Sequence, residues 1–147
     1  YRFEMLNNAL VSVEDDWSRM EPVIDSAVDI LEAKNVSPIL LHVIPTSEFE
    51  AYLNKMEYNS ADPDDVASRH DVVQQVADRF HEVGLDPQII GATGDPTENI
   101  VASVKNHNID HVFMGGRQRS PTGKAVLGSV SHGVLRGVDI PCTIVMS

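Results

Sequence analysis

The sequence of 147 residues is short of several things, and each shortage excludes a class of protein. It holds one cysteine, Cys142, so no intramolecular disulfide can form and a disulfide-stapled secreted fold is excluded. That cysteine has no CxxC neighbour, and the sequence pairs no base with it, so it reads as a buried structural residue. Long apolar runs are missing too. Ile39-Leu40-Leu41 and its neighbours fall far short of the roughly 20 residues needed to span a bilayer. No N-terminal stretch joins a positive start to an apolar segment and a small-residue cleavage site, so the expected compartment is the cytoplasm. There is no internal repeat and no low-complexity segment. With 42% hydrophobic residues the chain is not a disordered one, and its length suits one domain over residues 1–147.

Basic residues are also scarce. Eleven Lys and Arg stand against 22 Asp and Glu, for a net charge of −11. Such a chain is a poor general binder of nucleic acid or anionic membrane, and neither is expected as a partner. Asp outnumbers Glu, 13 to 9, and only four residues are Lys. That bias fits a salt-adapted, halophilic protein, and equally an ordinary acidic, soluble one. The charge is unevenly spread. Residues 1–110 hold 21 acids and 7 bases, a net of −14, whereas residues 111–147 hold one acid and 4 bases, a net of +3. A basic island on an acidic chain points to a local anion site.

Strand-like and helix-like segments alternate. Residues 9–13, 39–44, 88–93, 109–114 and 142–146 are short apolar runs that read as buried strands. Between them the spacing predicts a helix opening at Pro22, a short helix with Phe49, Tyr52, Leu53 and Met56, and one long helix from Asp62-Pro63 to a Gly84 cap. Further helices follow Asp95-Pro96 and contain Val126, Leu127, Val130, Val134 and Leu135. Residues 115–124 read as a polar loop. Strands joined by single helices run parallel with right-handed crossovers. The expected fold is therefore α/β and doubly wound, with its ligand site beyond the strand ends where the order reverses. Glu14 and Gly115 close the two strands that qualify.

The most informative segment runs from Met114 to Val130. It joins a buried strand to a helix start through Gly115-Gly116 and Gly123, with hydroxyls at Ser120, Thr122 and Ser129 and positive charge at Arg117, Arg119 and Lys124. Consecutive backbone N–H groups in such a turn, together with a helix N-terminus, cradle an anion. Arg117, Arg119 and Lys124 also read, more plainly, as a solvated loop paired with surface acids. The segment is not a Walker A loop. Six residues rather than four separate Gly116 from Gly123, and Ala125 follows Lys124 where that motif has Ser or Thr.

With these residues in view, the chain resembles the universal stress protein family over nearly its whole length. Gly115, Gly128 and Ser129 fall on the family's glycine spacing. Leu127-Gly128-Ser129-Val130, Leu41-His42-Val43, Gly94-Asp95-Pro96 and Pro141 before an apolar last strand are also typical. The resemblance implies a five-stranded parallel sheet in the order 3-2-1-4-5, of the adenine nucleotide alpha hydrolase-like kind. It also implies a homodimer paired through the terminal strand, here Cys142–Met146. The nucleotide-binding branch implies an adenine nucleotide, ATP with or without Mg²⁺, as ligand. Ser12 and Glu14 would close the first strand, Val43 and Met114 would flank adenine, and Gly115, Gln118, Arg119, Lys124, Gly128, Ser129 and Val130 would hold ribose and phosphates.

Three features depart from that pattern. Gln118 stands where the family's second loop Gly would be. Glu14 replaces an adenine-contacting Asp. Asp15 and Asp16 add two carboxylates near the mouth, where they would repel phosphate or hold Mg²⁺. A non-nucleotide branch of the family, a dimeric module docking an anion or a protein partner, therefore stays open as the alternative. Catalysis is expected to be absent or limited to weak ATP hydrolysis, since no G-x-S-x-G elbow and no oriented base is readable. Among six histidines only His107 and His111 have a metal-like spacing, across a helix end, and no metal site is expected there. His42 reads as a packed core residue.

Overall fold

The computed structural model describes residues 6–55, 62–119 and 122–146. In chain order its elements are β1 (Ala9–Ser12), α1 (Trp17–Lys34), β2 (Ile39–Ile44), α2 (Thr46–Lys55), α3 (Pro63–Ser68), α4 (Asp71–His81), β3 (Gln88–Thr93), α5 (Pro96–Asn106), β4 (His111–Gly115), β5 (Arg117–Arg119), β6 (Ala125–Leu127), α6 (Ser129–Gly137) and β7 (Cys142–Val145). The main sheet runs β3-β2-β1-β4-β7, with every pairing parallel. This is the expected doubly wound α/β sheet, β7 being its fifth strand. The chain winds outward from β1 through β2 to β3, then returns to lay β4 on the other side of β1. The two halves therefore diverge at the carboxyl ends of β1 and β4.

Alternation along the central strands feeds two cores. Ala9, Val11 and Val13 join Phe113 and Leu40 beneath α1 and α4, where Met20, Ile24, Leu31, Val73 and Phe80 complete the layer. Leu10, Leu41, Val112 and Met114 face the other way and pack with Ile100, Val104 and Val134 of α5 and α6. A strand covered on both faces must be apolar throughout, which is why these strands read as unbroken apolar runs. Among the described residues no helix is long and apolar enough to cross a membrane.

Three elements differ from the sequence expectation. Helix α1 begins at Trp17, not Pro22. The Asp16 carboxylate accepts from the Ser18 N–H at 2.9 Å and caps the helix one turn early. Pro22 lies inside the helix, and Trp17 and Met20 become part of its apolar stripe.

The long helix expected after Asp62 is broken in two. Asp62 and Pro63 do open α3. The chain then turns, and His70 starts α4, its Nδ1 accepting from the Val72 N–H at 3.3 Å. The break lets α3 press against β3: Asp64 Oδ1 accepts from the Gly91 N–H at 2.7 Å. A Cβ on Gly91 would lie 2.0 Å from the Pro63 carbonyl oxygen.

The polar loop is in part a hairpin. Arg117, Gln118 and Arg119 pair antiparallel with Leu127, Val126 and Ala125. Val126 and Leu127 therefore belong to a strand, and α6 starts only at Ser129. Met56 and Ser120 lie outside the described residues.

Candidate functional site

A cavity of about 1030 Å³ opens where β1 and β4 diverge. Its floor is the end of β1, with Ser12, Val13 and Glu14, beside the end of β4, with Met114, Gly115 and Gly116. Val43 and Pro45, at the end of β2 and just beyond it, also line the cavity, as do Gly128, Ser129, Val130 and Ser131 at the start of α6. Eight of the residues named from the sequence thus line one space: Ser12, Glu14, Val43, Met114, Gly115, Gly128, Ser129 and Val130. Lys124 does not. It is exposed in the hairpin turn, away from the lining. Gln118 and Arg119 place their backbone in β5, and their side chains lie outside the described residues.

Backbone bonds fix this lining. The Gly128 N–H donates to the Gly116 carbonyl at 2.7 Å, tying the start of α6 to the end of β4. Ser131 Oγ donates to the Gly115 carbonyl at 2.9 Å. Gly128 is the N-cap of α6 and supplies no side-chain acceptor, so the first N–H groups of the helix have no capping side chain. Those groups belong to Ser129 and Val130, which line the cavity. A helix N-terminus in that position favours an anion.

Glu14 dominates the base of the cavity. Its Oε1 pairs with Arg19 Nη2 at 3.6 Å. Its Oε2 is buried and, among the described residues, is the one buried side-chain polar atom without a hydrogen-bond partner. A buried carboxylate oxygen left unpaired is costly, and such atoms in native proteins call for an explanation. The oxygen lies beside Gly115, in the cavity that Val43 and Met114 also line.

Asp15 and Asp16 do not act together at the mouth. Asp16 is spent on the α1 cap, accepting from both the Ser18 N–H and the Ser18 hydroxyl. These bonds lower its carboxyl pKa below the ordinary value. Asp15 lines the cavity but aims Oδ1 at His42 and His70. His42 is buried as expected, and its Nδ1–H donates to the Val13 carbonyl at 2.9 Å. His111 stacks on Phe113 and hydrogen-bonds with Thr143, apart from His107. Burial pushes its pKa down, against the opposing pull of Asp110. Burial pushes the Cys142 thiol pKa up, which suits an inert structural cysteine.

Arg19, Ser18 and Pro96 also line the cavity and were not anticipated. Starting α1 at Pro22 hid the first two. The signal was an Asp one residue before an apolar-periodic stretch, which moves the helix start to Trp17 and puts Ser18 and Arg19 on its first turn.

The model of the universal stress protein family matches residues 5–146. The chain belongs to the universal stress protein family. The universal stress protein YxiE of Bacillus subtilis is 24% identical over 148 residues, covering 96% of this chain and 99% of that protein. The solved universal stress protein of Archaeoglobus fulgidus superposes with a TM-score of 0.71 at 20% identity, covering 94% of this chain and 97% of its own. A universal stress protein solved in complex with cAMP superposes at 0.69 with 19% identity, covering 97% and 98%. These likenesses establish the same fold as the strand order does.

Proposed function

We propose that this universal stress protein binds an adenine nucleotide, ATP or a close relative, in the β1–β4 cavity, and acts as a nucleotide-responsive regulatory protein. The observation that carries the reading is Glu14 Oε2, a buried acceptor without a partner beside Gly115, in a cavity that Val43 and Met114 also line. An adenine in that cavity offers its exocyclic amine to this oxygen. The phosphates then run toward Gly128, Ser129 and Val130 at the uncapped start of α6. Arg19 supplies positive charge at the cavity. The cAMP held by a solved relative of the same fold supports adenine as the base.

The test is direct. The protein is purified, denatured, and the supernatant is separated by anion-exchange chromatography. The reading expects an adenine nucleotide in the extract, or its uptake after incubation with ATP. Neither occurring at millimolar ATP contradicts it.

A second reading rests on Lys124, which stands exposed outside the cavity. In it the hairpin docks an acidic group of a partner, and ATP is inert. Replacing Lys124 with Glu then abolishes capture of that partner. Under the first reading the same change leaves ATP binding intact.

We also infer pairing of two copies through β7. It is an edge strand of the main sheet, and Met146 just beyond it is exposed. Light scattering at tens of micromolar in high salt should give a dimer mass. A monomer mass contradicts the pairing.

A further inference from the structure

Three segments distant in sequence bring Asp15, His42 and His70 together: the turn after β1, the middle of β2 and the residue before α4. Asp15 Oδ1 lies 3.3 Å from His42 Nε2 and 3.2 Å from His70 Nε2. The three ligand atoms all fall within 4.8 Å of one another, and the two ring centroids are 4.3 Å apart. Neither imidazole takes part in the nucleotide reading above.

We propose that Asp15, His42 and His70 form a binding site for a late first-row divalent metal ion of the Zn²⁺ class, with its open coordination position facing the cavity. Two imidazoles and one carboxylate are a donor set for such ions, not for Mg²⁺ or Ca²⁺, which take oxygen ligands. The spacing fits as well. Zn²⁺ bonds of about 2.0–2.2 Å in tetrahedral geometry put neighbouring ligand atoms about 3.3–3.5 Å apart, close to the two separations observed.

The tautomers sharpen the case. His42 donates its Nδ1–H to the Val13 carbonyl, so the lone pair of the neutral ring sits on Nε2. That nitrogen faces Asp15 Oδ1, and two acceptors in contact repel unless a second ring proton or a metal ion lies between them. A backbone carbonyl on Nδ1 is also the usual outer partner of a metal-bound histidine, fixing ring and tautomer.

His70 is held less firmly. Its Nδ1 accepts from Val72 at 3.3 Å, which leaves the proton on Nε2, donated to Asp15. Ligation moves that proton to Nδ1 and gives up the long cap bond. The side chains grade from 6% exposed at His42 through 26% at His70 to 68% at Asp15. An ion therefore enters past an exposed carboxylate and meets a buried imidazole held by a backbone carbonyl.

The test uses the full chain stripped of metal, without nucleotide, so that its failure leaves the nucleotide reading untouched. Zn²⁺ is titrated against a chromophoric chelator at neutral pH, and Co²⁺ is followed by visible absorption. One equivalent of Zn²⁺ should bind, and Co²⁺ should develop ligand-field bands. Asp15→Asn and His70→Asn should each weaken binding at least about tenfold, the lower range seen even for outer-shell changes. Asn at position 70 still offers an oxygen to cap α4, and Asp15→Asn carries the test if α4 is lost. His107→Ala should bind as the parent does. Absence of stoichiometric binding overturns the proposal. So does binding that survives both Asp15→Asn and His70→Asn, which assigns it to the acidic surface.

Discussion

A Cβ on Gly115 would stand 2.8 Å from Glu14 Oε2, so the bare backbone at the end of β4 makes the space in which that carboxylate lies. The pairing predicts base selectivity. A carboxylate oxygen accepts from the amine of adenine and repels the carbonyl of guanine. ATP should therefore bind at least about tenfold more tightly than GTP, the order expected for a hydrogen bond to a charged group. Glu14→Ala should erase most of that difference. Gly115→Ala should act the same way with little loss of stability, because the atom it meets is the free end of a flexible side chain. Isothermal titration with both nucleotides checks all three; equal affinities in the parent contradict the pairing.

Gly116 meets a harder neighbour. A Cβ there would lie 2.1 Å from Ile144 Cγ2, with Met146 and Leu127 also close. Gly116→Ala should push β7 from β4 and cost about 1–3 kcal/mol, the usual range for overpacking. Urea unfolding measures it. Ile144→Ala, which removes that Cγ2, should cost less in the Gly116→Ala background than in the parent.

The Asp16 cap predicts a pH-dependent effect on stability. The carboxyl pKa is lowered by its bonds to Ser18, so its stabilisation is present above the unfolded value and is lost as pH falls through the folded one. Asp16→Ala should lower the melting temperature at neutral pH, and the gap between variant and parent should close in strong acid. Asp16→Asn, which keeps an acceptor at the cap, should lose less.

His111 predicts a second pH effect at a different place. Its pKa is lowered by burial, so the unfolded chain takes up this proton before the folded one. Stability from this residue is present above the ordinary histidine range and falls as the solution is acidified below it. His111→Gln should flatten the slope of stability between pH 8 and about 5.5. An unchanged slope would mean that the other histidines set it.

Much of this fold was legible because a strand buried on both faces is an uninterrupted apolar run. Leu40, Leu41, Val112 and Phe113 carry that signature without any help from partners. The Asp95-Pro96 helix start was legible for a similar reason: its cap lies within four residues, Asp95 accepting from the Glu98 N–H. The break between α3 and α4 was not. It is set by Asp64 reaching the Gly91 backbone across 27 positions, and no local pattern records such a contact. The hairpin was hidden for the same reason, since Gln118 pairs with Val126 in a stretch whose composition reads as loop.

At the site, the glycines and Ser129 were legible from spacing along one segment. The meeting of Asp15 with His42 and His70 was not, because it depends on where β2 and α4 stand in space. The charge arithmetic also misled in part. Lys124 belongs to the basic island yet stays outside the cavity, whereas Arg19, on the acidic side of the chain, lines it.

The most direct test of the central claim is the melting temperature of the purified 147-residue chain with and without ATP and Mg²⁺. A ligand that binds only the folded state stabilises it by about 2.7 kcal/mol at one hundred times its dissociation constant. The account predicts a melting temperature that climbs with ATP concentration and a smaller rise with GTP, with the ATP response weakened in Glu14→Ala. A melting temperature that stays level up to millimolar ATP would contradict it.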